Sequence, residues 1–342
     1  MLTKLSLYCI YRHIQINDSF GLLDYVEISL IVTYLSLEED MEPSIVVDHL
    51  YKNLDTFKLE DINFKLEPGY VLGLIGRNGA GKTTLINTIL GLWAPEQGSI
   101  HISGYDRTED EIKAKNQIAF VTDECLFPLE MTPYSIGRIF GKVYEDFDYK
   151  QYREFCERLR VPMHKRLQRM SRGTVIKLQL AFAFSREARL YIFDEPSAGL
   201  DPVFRKELMD LIFDLTYDGN RSVIFSTHLT DELDRIADYI LFLEGGRQKL
   251  FEQKEELVSR YKLVRGSEDQ LEAFSDRIIG KRITPNSCEA LIEVTEQEES
   301  AYIGEYKGEL MDKFTTNGLK PLITTPTIED IMYYFIKGSV ND

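Results

Sequence analysis

The chain has 342 residues, of which 44% are hydrophobic, enough for one large domain and a smaller one around a real core. Its 40 Lys and Arg stand against 56 Asp and Glu, a formal net charge of -16, which argues against a surface that grips nucleic acid, because that needs clustered positive charge over phosphates. Cys9, Cys125, Cys156 and Cys288 form no CxxC pair, and no histidine stands at metal-ligand spacing, so reduced structural thiols are expected.

Residues 1–40 hold apolar pieces at 5–11 and 28–37 but no clear period and no chemical motif. The run Leu37-Glu38-Glu39-Asp40-Met41 is what a purine-rich ribosome-binding stretch ahead of a start codon would encode. Two readings stay open: translated upstream sequence with Met41 as the true start, or an ordinary N-terminal extension. The best candidate for a membrane span, 21–37, carries Asp24 and Glu27 and falls short of the ~20 apolar residues a helix needs. The first ten residues make a poor signal peptide. Any work at a membrane is therefore expected to go through a partner.

From residue 44 the pattern changes. Short apolar alternation at 44–50 and 57–66 predicts antiparallel strands. Residues 70–75 form a continuous apolar run, the mark of a strand buried on both faces, and 82–92 read as a helix. Residues 131–159 read as helices broken near 146–148. Residues 189–193 and 221–226 are again buried strands. Strands and helices alternating around tight turns predict an α/β domain with a largely parallel sheet, spanning 44–245. Gly245-Gly246 is a turn, and 252–261 looks helical. Residues 261–342 form a small α+β accessory region with a strand-like piece at 291–294. It ends in an amphipathic helix that starts at Pro326 and sets Ile328, Ile331, Met332 and Phe335 at helical spacing.

Gly76-Arg77-Asn78-Gly79-Ala80-Gly81-Lys82-Thr83 matches GxxxxGK[ST], between a buried strand and a helix. Glycines let the backbone curl so that successive N–H groups face phosphate oxygens, and the following helix turns its positive end to the same anion. Lys82 adds a point charge for the β- and γ-phosphates, the Thr83 hydroxyl suits Mg²⁺, and Thr84 extends the loop. Tyr191-Ile192-Phe193-Asp194-Glu195 is an apolar strand ending in two acids. Asp194 would hold Mg²⁺, and Glu195 would polarise the attacking water. The turn-rich stretch Pro196 to Pro202 contains Asp201, and Phe225-Ser226-Thr227-His228 closes another apolar strand.

In this order and spacing the motifs resemble the ATP-binding subunits of ABC transporters, across roughly 44–245. The resemblance implies a P-loop NTPase cassette: a mostly parallel core sheet, an antiparallel β subdomain and a helical subdomain at about 124–180. It implies that ATP is bound and hydrolysed with Mg²⁺, by two cassettes closed head to tail. The partner cassette is a copy or a different one. Ser171 and Gly173 would touch the γ-phosphate held by the other subunit, Asp201 would communicate across the dimer, and His228 would hold the attacking water. It further implies a separate transmembrane permease docked near 127–144, and a peripheral place at the cytoplasmic face of the cell membrane.

Two departures stand out. The signature, usually LSGGQ, reads Met170-Ser171-Arg172-Gly173-Thr174, and with Lys177 it resembles cassettes of ABC-2-type exporters of Gram-positive bacteria. The loop glutamine is replaced by Asp123, a hard ligand that is expected to reach Mg²⁺, with Glu124 as the neighbouring candidate. Phe57 is a candidate to stack on adenine, with packing into the core as the other reading. Phe127, Tyr134, Phe140 and Tyr144 are open between docking a partner and filling the helical subdomain. The competing functional class is a soluble ABC ATPase acting on a partner such as the ribosome; the single cassette and the short interval between loop and signature speak against it.

Overall fold

The computed structural model describes residues 42–272, 274–284, 287–294 and 321–338. The reading of 1–40 and the thiol of Cys9 lie outside them. The chain divides into two compact units. The first runs to His228 and takes in Leu243–Lys249; the second takes in Leu229–Phe242 and continues from Leu250.

In the first unit, β1 (Ile45–Leu54) and β2 (Phe57–Leu66) pair antiparallel from Ile45↔Leu66 to Leu54↔Phe57, with two irregularities. The two-residue connection at Asp55-Thr56 is what the alternation at 44–50 and 57–66 requires. The strand β3 (Val71–Ile75) is buried at every position and leads into α1 (Lys82–Leu90). Then come β4 (Gln97–Ile102), which pairs with β1, and the short β5 (Tyr105–Asp106). After α2 (Glu111–Asn116), the strand β6 (Ile118–Val121) lies beside β7 (Leu190–Asp194), which lies beside β8 (Ser222–Ser226), which lies beside β3. All three of these pairings are parallel. The order β3-β8-β7-β6 is not the order of the chain, so helices must carry it back across the sheet each time.

Between β6 and β7 the chain builds a helical subdomain. It holds α3 (Pro133–Ile139), α4 (Tyr149–Arg158) and α5 (Arg172–Ala183). The break expected at 146–148 is the cap of α4, where the Asp148 carboxylate accepts from the N–H groups of Lys150 and Gln151. The subdomain is filled by aromatic rings. Phe127 stands edge-on to Phe140 and to Phe182, and Phe147 lies 4.8 Å from Phe182. Tyr144 also meets Phe182. Three of the four aromatics left open by the sequence are therefore packing groups, and Tyr134 stays exposed. The helix α6 (Pro202–Thr216) precedes β8.

The second unit contains α7 (Thr230–Ile236), most of β9 (Tyr239–Glu244), the end of β10 (Arg247–Gln253) and α8 (Lys254–Arg260). The helix read over 252–261 is thus shorter, because Glu252 and Gln253 are spent on the strand. Beyond it, β11 (Tyr261–Gly266), α9 (Glu268–Glu272), β12 (Ile278–Thr284), β13 (Ser287–Glu293) and β14 (Leu322–Thr324) follow, and the strands make an antiparallel sheet in the order β12-β13-β11-β14. Val264, Leu271, Phe274, Cys288, Ala290 and Ile292 form its core. The last helix, α10 (Ile328–Gly338), buries Ile328, Ile331 and Tyr334, a line spaced by three, while Met332 and Phe335 are half-buried. It packs beside α7, where the Ile328 N–H donates to Asp234 at 3.4 Å. Cys125, Cys156 and Cys288 are free thiols.

The end of α1 shows how tightly the first unit is fitted. Gly91 caps the helix in the left-handed region at φ 72°, and its N–H returns to Thr88 O. The buried Arg107 guanidinium donates to the last carbonyls, Ile89 O at 3.1 Å and Leu90 O at 3.0 Å. A Cβ on Gly91 would lie 1.1 Å from the Arg107 guanidinium. Gly91→Ala is therefore expected to cost about 1–3 kcal/mol, from the positive φ and the lost cap together. The check is a drop of several degrees in thermal midpoint; an unchanged midpoint would show that Arg107 is not needed at that helix end.

Candidate functional site

The site is assembled by strand register. Leu74 on β3 and Asp194 on β7 both lie opposite Ser226 on β8, so three buried parallel strands end together. The residues that follow those ends are Gly76, Glu195 and His228. A polar group is costly inside such a sheet and cheap at its end, which is why the chemistry is gathered there.

The loop from Gly76 to Gly81 curls back on itself, with Ala80 N–H donating to Arg77 O at 2.9 Å. At Gly76 the backbone passes close to its neighbours. A Cβ there would be 2.5 Å from Leu243 O and 2.8 Å from Ala80 Cβ, so only glycine fits. Arg77, Asn78 and Gly79 are exposed, and Lys82 is 7% exposed. Its ammonium donates to Gly76 O at 2.8 Å, which holds the cation inside the loop. Phe57 is half-buried with its ring against Gly81 and Gly246, beside the loop rather than deep in the core.

Thr83 Oγ1 donates to Asp194 Oδ2 at 3.3 Å. The second oxygen, Asp194 Oδ1, is buried and has no hydrogen-bond partner. Burial pushes the Asp194 carboxyl above the usual carboxylate range, and the charges of Glu195 and Asp123 push it the same way. An unmatched buried oxygen beside a hydroxyl is a hard-donor pair that fits Mg²⁺. Among the described residues no group of three or more His, Cys, Asp or Glu is placed to hold a metal. Mg²⁺ does not require one, because it binds through one or two carboxylates plus phosphates and water.

Glu195 sits at φ +50°, a costly conformation for a residue with a Cβ. Its N–H donates to Ser226 O at 3.0 Å, and its carboxylate meets His228 Nδ1 at 2.6 Å. The strained backbone turns the acid out of the strand line and onto the histidine. Asp201 works as the cap of α6, accepting from Val203 N and Phe204 N at 3.1 and 3.0 Å. Those bonds, Phe204 first, hold its carboxyl below the usual range. Lys177 lies 4.0 Å over the Phe204 ring.

Ser171 caps α5, accepting from Thr174 N at 3.2 Å, with Gly173 in the first turn against Leu200. Asp123 does not hydrogen-bond to Thr83 or Asp194. Its Oδ2 accepts from Arg172 Nη2 at 3.1 Å. Two of the residues that depart from the family pattern are thus each other's partners. The sequence shows both residues but not their pairing, because two charges 49 positions apart leave no pattern in the chain.

The ABC transporter family profile matches residues 59–198. A profile described as an AAA domain, putative AbiEii toxin of a type IV toxin–antitoxin system, matches 166–234. The chain is 30% identical over 211 residues to the uncharacterized ABC transporter ATP-binding protein YdbJ of Bacillus subtilis (strain 168), covering 61% of this chain and 68% of that one. It is 32% identical over 195 residues to the ABC-type transporter ATP-binding protein EcsA of the same organism, covering 55% and 78%. A solved ATP-binding subunit of an ABC transporter superposes with a TM-score of 0.57 at 28% identity, over 62% of this chain and 91% of that one.

The raised Asp194 carboxyl has a consequence for stability. A carboxyl raised in the fold favours folding when protonated, and that benefit is lost as pH rises through its folded value. Where it is ionised, the group is therefore a liability to the nucleotide-free fold. Asp194→Asn should melt at the same or a higher temperature at pH 7 while losing hydrolysis. A clearly lower melting temperature would mean that the charge supports the fold.

Proposed function

We propose, because this chain belongs to the ABC transporter family of ATP-binding proteins, that its ATPase drives a separate membrane permease by cycles of closure with a second cassette. The ATP-binding and ATP-hydrolysing role comes with the family. The observation that carries the mechanism is the pair of contacts at the strand ends, Thr83 to Asp194 and Glu195 to His228.

In this reading the loop amides and Lys82 take the β- and γ-phosphates, and Lys82 gives up Gly76 O to do so. Thr83 and Asp194 would hold Mg²⁺, with Asp123 as a further candidate donor, and the ion would supply positive charge against the phosphates there. Glu195 accepts a hydrogen bond from a water and draws its proton as the water oxygen attacks the γ-phosphorus. The bond to the β-phosphate oxygen breaks, leaving ADP and inorganic phosphate. His228 fixes the Glu195 carboxylate through Nδ1–H. To donate to the phosphate through Nε2–H at the same time, the imidazole must carry both protons. Phe57 stacks on the adenine from beside Gly81.

Ser171 and Gly173 complete the site of the opposite cassette from the N-terminus of α5. ATP then joins the two cassettes, and hydrolysis removes the phosphate that joined them. No helix among the described residues is long and apolar enough to cross a membrane. Leu126, Ile139 and Val143 expose apolar surface on the helical subdomain, which suits docking of that permease. Export is the direction we favour, from the Ser171-Arg172-Gly173 signature with Lys177.

Lys82→Ala should weaken ATP binding at least tenfold by calorimetry, since the phosphates lose a charge-assisted partner; near-normal affinity would contradict the loop assignment. Glu195→Gln should still bind ATP but turn over at least about 100-fold more slowly and collect as an ATP-bound dimer on size exclusion. Normal turnover with no shift to dimer would take Glu195 out of the mechanism.

A further inference from the structure

Arg172 is the first residue of α5, and its guanidinium reaches across to Asp123, the residue after Thr122 in the loop that follows β6. The same helix is tied to the same loop a second time, deeper in the fold. The buried Gln179 donates through Nε2 to Thr122 O at 3.0 Å. The inner tie is a neutral bond shielded from water and fixes where the loop sits. The outer tie is an ion pair between side chains 58% and 49% exposed. Exposed pairs contribute little and re-form readily, so the outer tie can open without moving the loop.

Each end of the pair has another place to act. Val121 lies opposite Phe193, so Asp123 leaves the end of β6 beside the end of β7 that carries the metal-binding acids proposed for its own chain. The stem of Arg172 runs by Gly199, at the turn before Asp201, and its backbone stands between Ser171 and Gly173 in the first turn of α5. A guanidinium there adds a full charge and paired donors to an end that is already positive, which suits a phosphate dianion better than a single carboxylate.

We propose that the Asp123–Arg172 pair is an exchangeable clasp: Asp123 holds Arg172 until the γ-phosphate of ATP bound by a second copy of this chain takes it over. Arg172 is then a cation acting on the opposite nucleotide, and Asp123 is the competitor that sets how much ATP is needed to recruit it. The exchange also frees Asp123 on the side of its own Asp194. Occupation of one nucleotide site thus changes the charge at the other. This rests on the two-cassette reading given above.

The test is the ATP concentration that half-dimerises the full chain, measured by light scattering in the slowly hydrolysing Glu195→Gln protein. Arg172→Gly should raise it about tenfold or more, and Arg172→Lys, which keeps the charge, should recover part of the loss. Asp123→Asn should lower it about two- to fivefold, because Arg172 no longer has to leave a partner. Combining Asp123→Asn with Arg172→Gly should give the value of Arg172→Gly alone. An Asp123→Asn shift of the same size without Arg172 would overturn the exchange while leaving the dimer intact, as would an Arg172→Gly protein with an unchanged ATP requirement. A Glu195→Gln protein that never dimerises with ATP would overturn the two-cassette reading itself, and the clasp with it.

Discussion

Strands β3, β7 and β8 run parallel and end in register, with Leu74 and Asp194 both opposite Ser226. Everything chemical in the molecule depends on that alignment. A slip of one residue would turn each strand's side chains over and carry Asp194 away from Thr83. The register is held by strands buried at every position, where any other pairing would leave apolar and backbone groups unmatched. Once it is set, the phosphate loop, the acid pair and the histidine converge at one end of the sheet, and the loop is held further by the Gly246 N–H on Ala80 O at 3.0 Å.

The convergence is electrostatically tense. Asp194, Glu195 and Asp123 crowd one side of the site, and the first of these is raised by burial and by the other two. Lys82 is bound back to Gly76 O, and Arg172 is bound to Asp123. A fold built only for stability would not keep a buried carboxylate oxygen without a partner, or an acid at φ +50°. Both features make sense for a site that must accept a polyanion and a cation together. On the proposed function, Mg²⁺ arriving with ATP would bring the positive charge that relieves the acids, which would link nucleotide binding to stability.

The sheet and the phosphate loop were legible in the sequence because their signals are local. An apolar run of five or six residues ending in Gly76, or in Asp194-Glu195, fixes both the element and its edge. The break near 146–148 was legible for the same reason, but not that Asp148 caps the helix after it. The division of the chain was not, because a helix stripe says that a partner is needed without saying which. The α10 helix finds its neighbour in α7, almost a hundred residues earlier, and so Leu229–Phe242 belongs with the C-terminal unit. Its buried line runs through Tyr334, whose hydroxyl bonds to Glu289, a rotation away from the stripe that Met332 and Phe335 suggested. The Asp123–Arg172 pair was invisible for a different reason. Two surface charges 49 positions apart leave no periodic trace, and only the fold brings them within 3.1 Å.

On the two-cassette reading, one chain carries only part of a working site, the rest being supplied by a second cassette. The most direct measurement is the rate of phosphate release per chain as protein concentration is raised at saturating Mg²⁺ and ATP. A site completed by a second copy predicts a specific activity that is low in dilute solution, climbs with concentration and levels off as dimers form. A specific activity that stays constant while the protein remains monomeric across the whole range would contradict it.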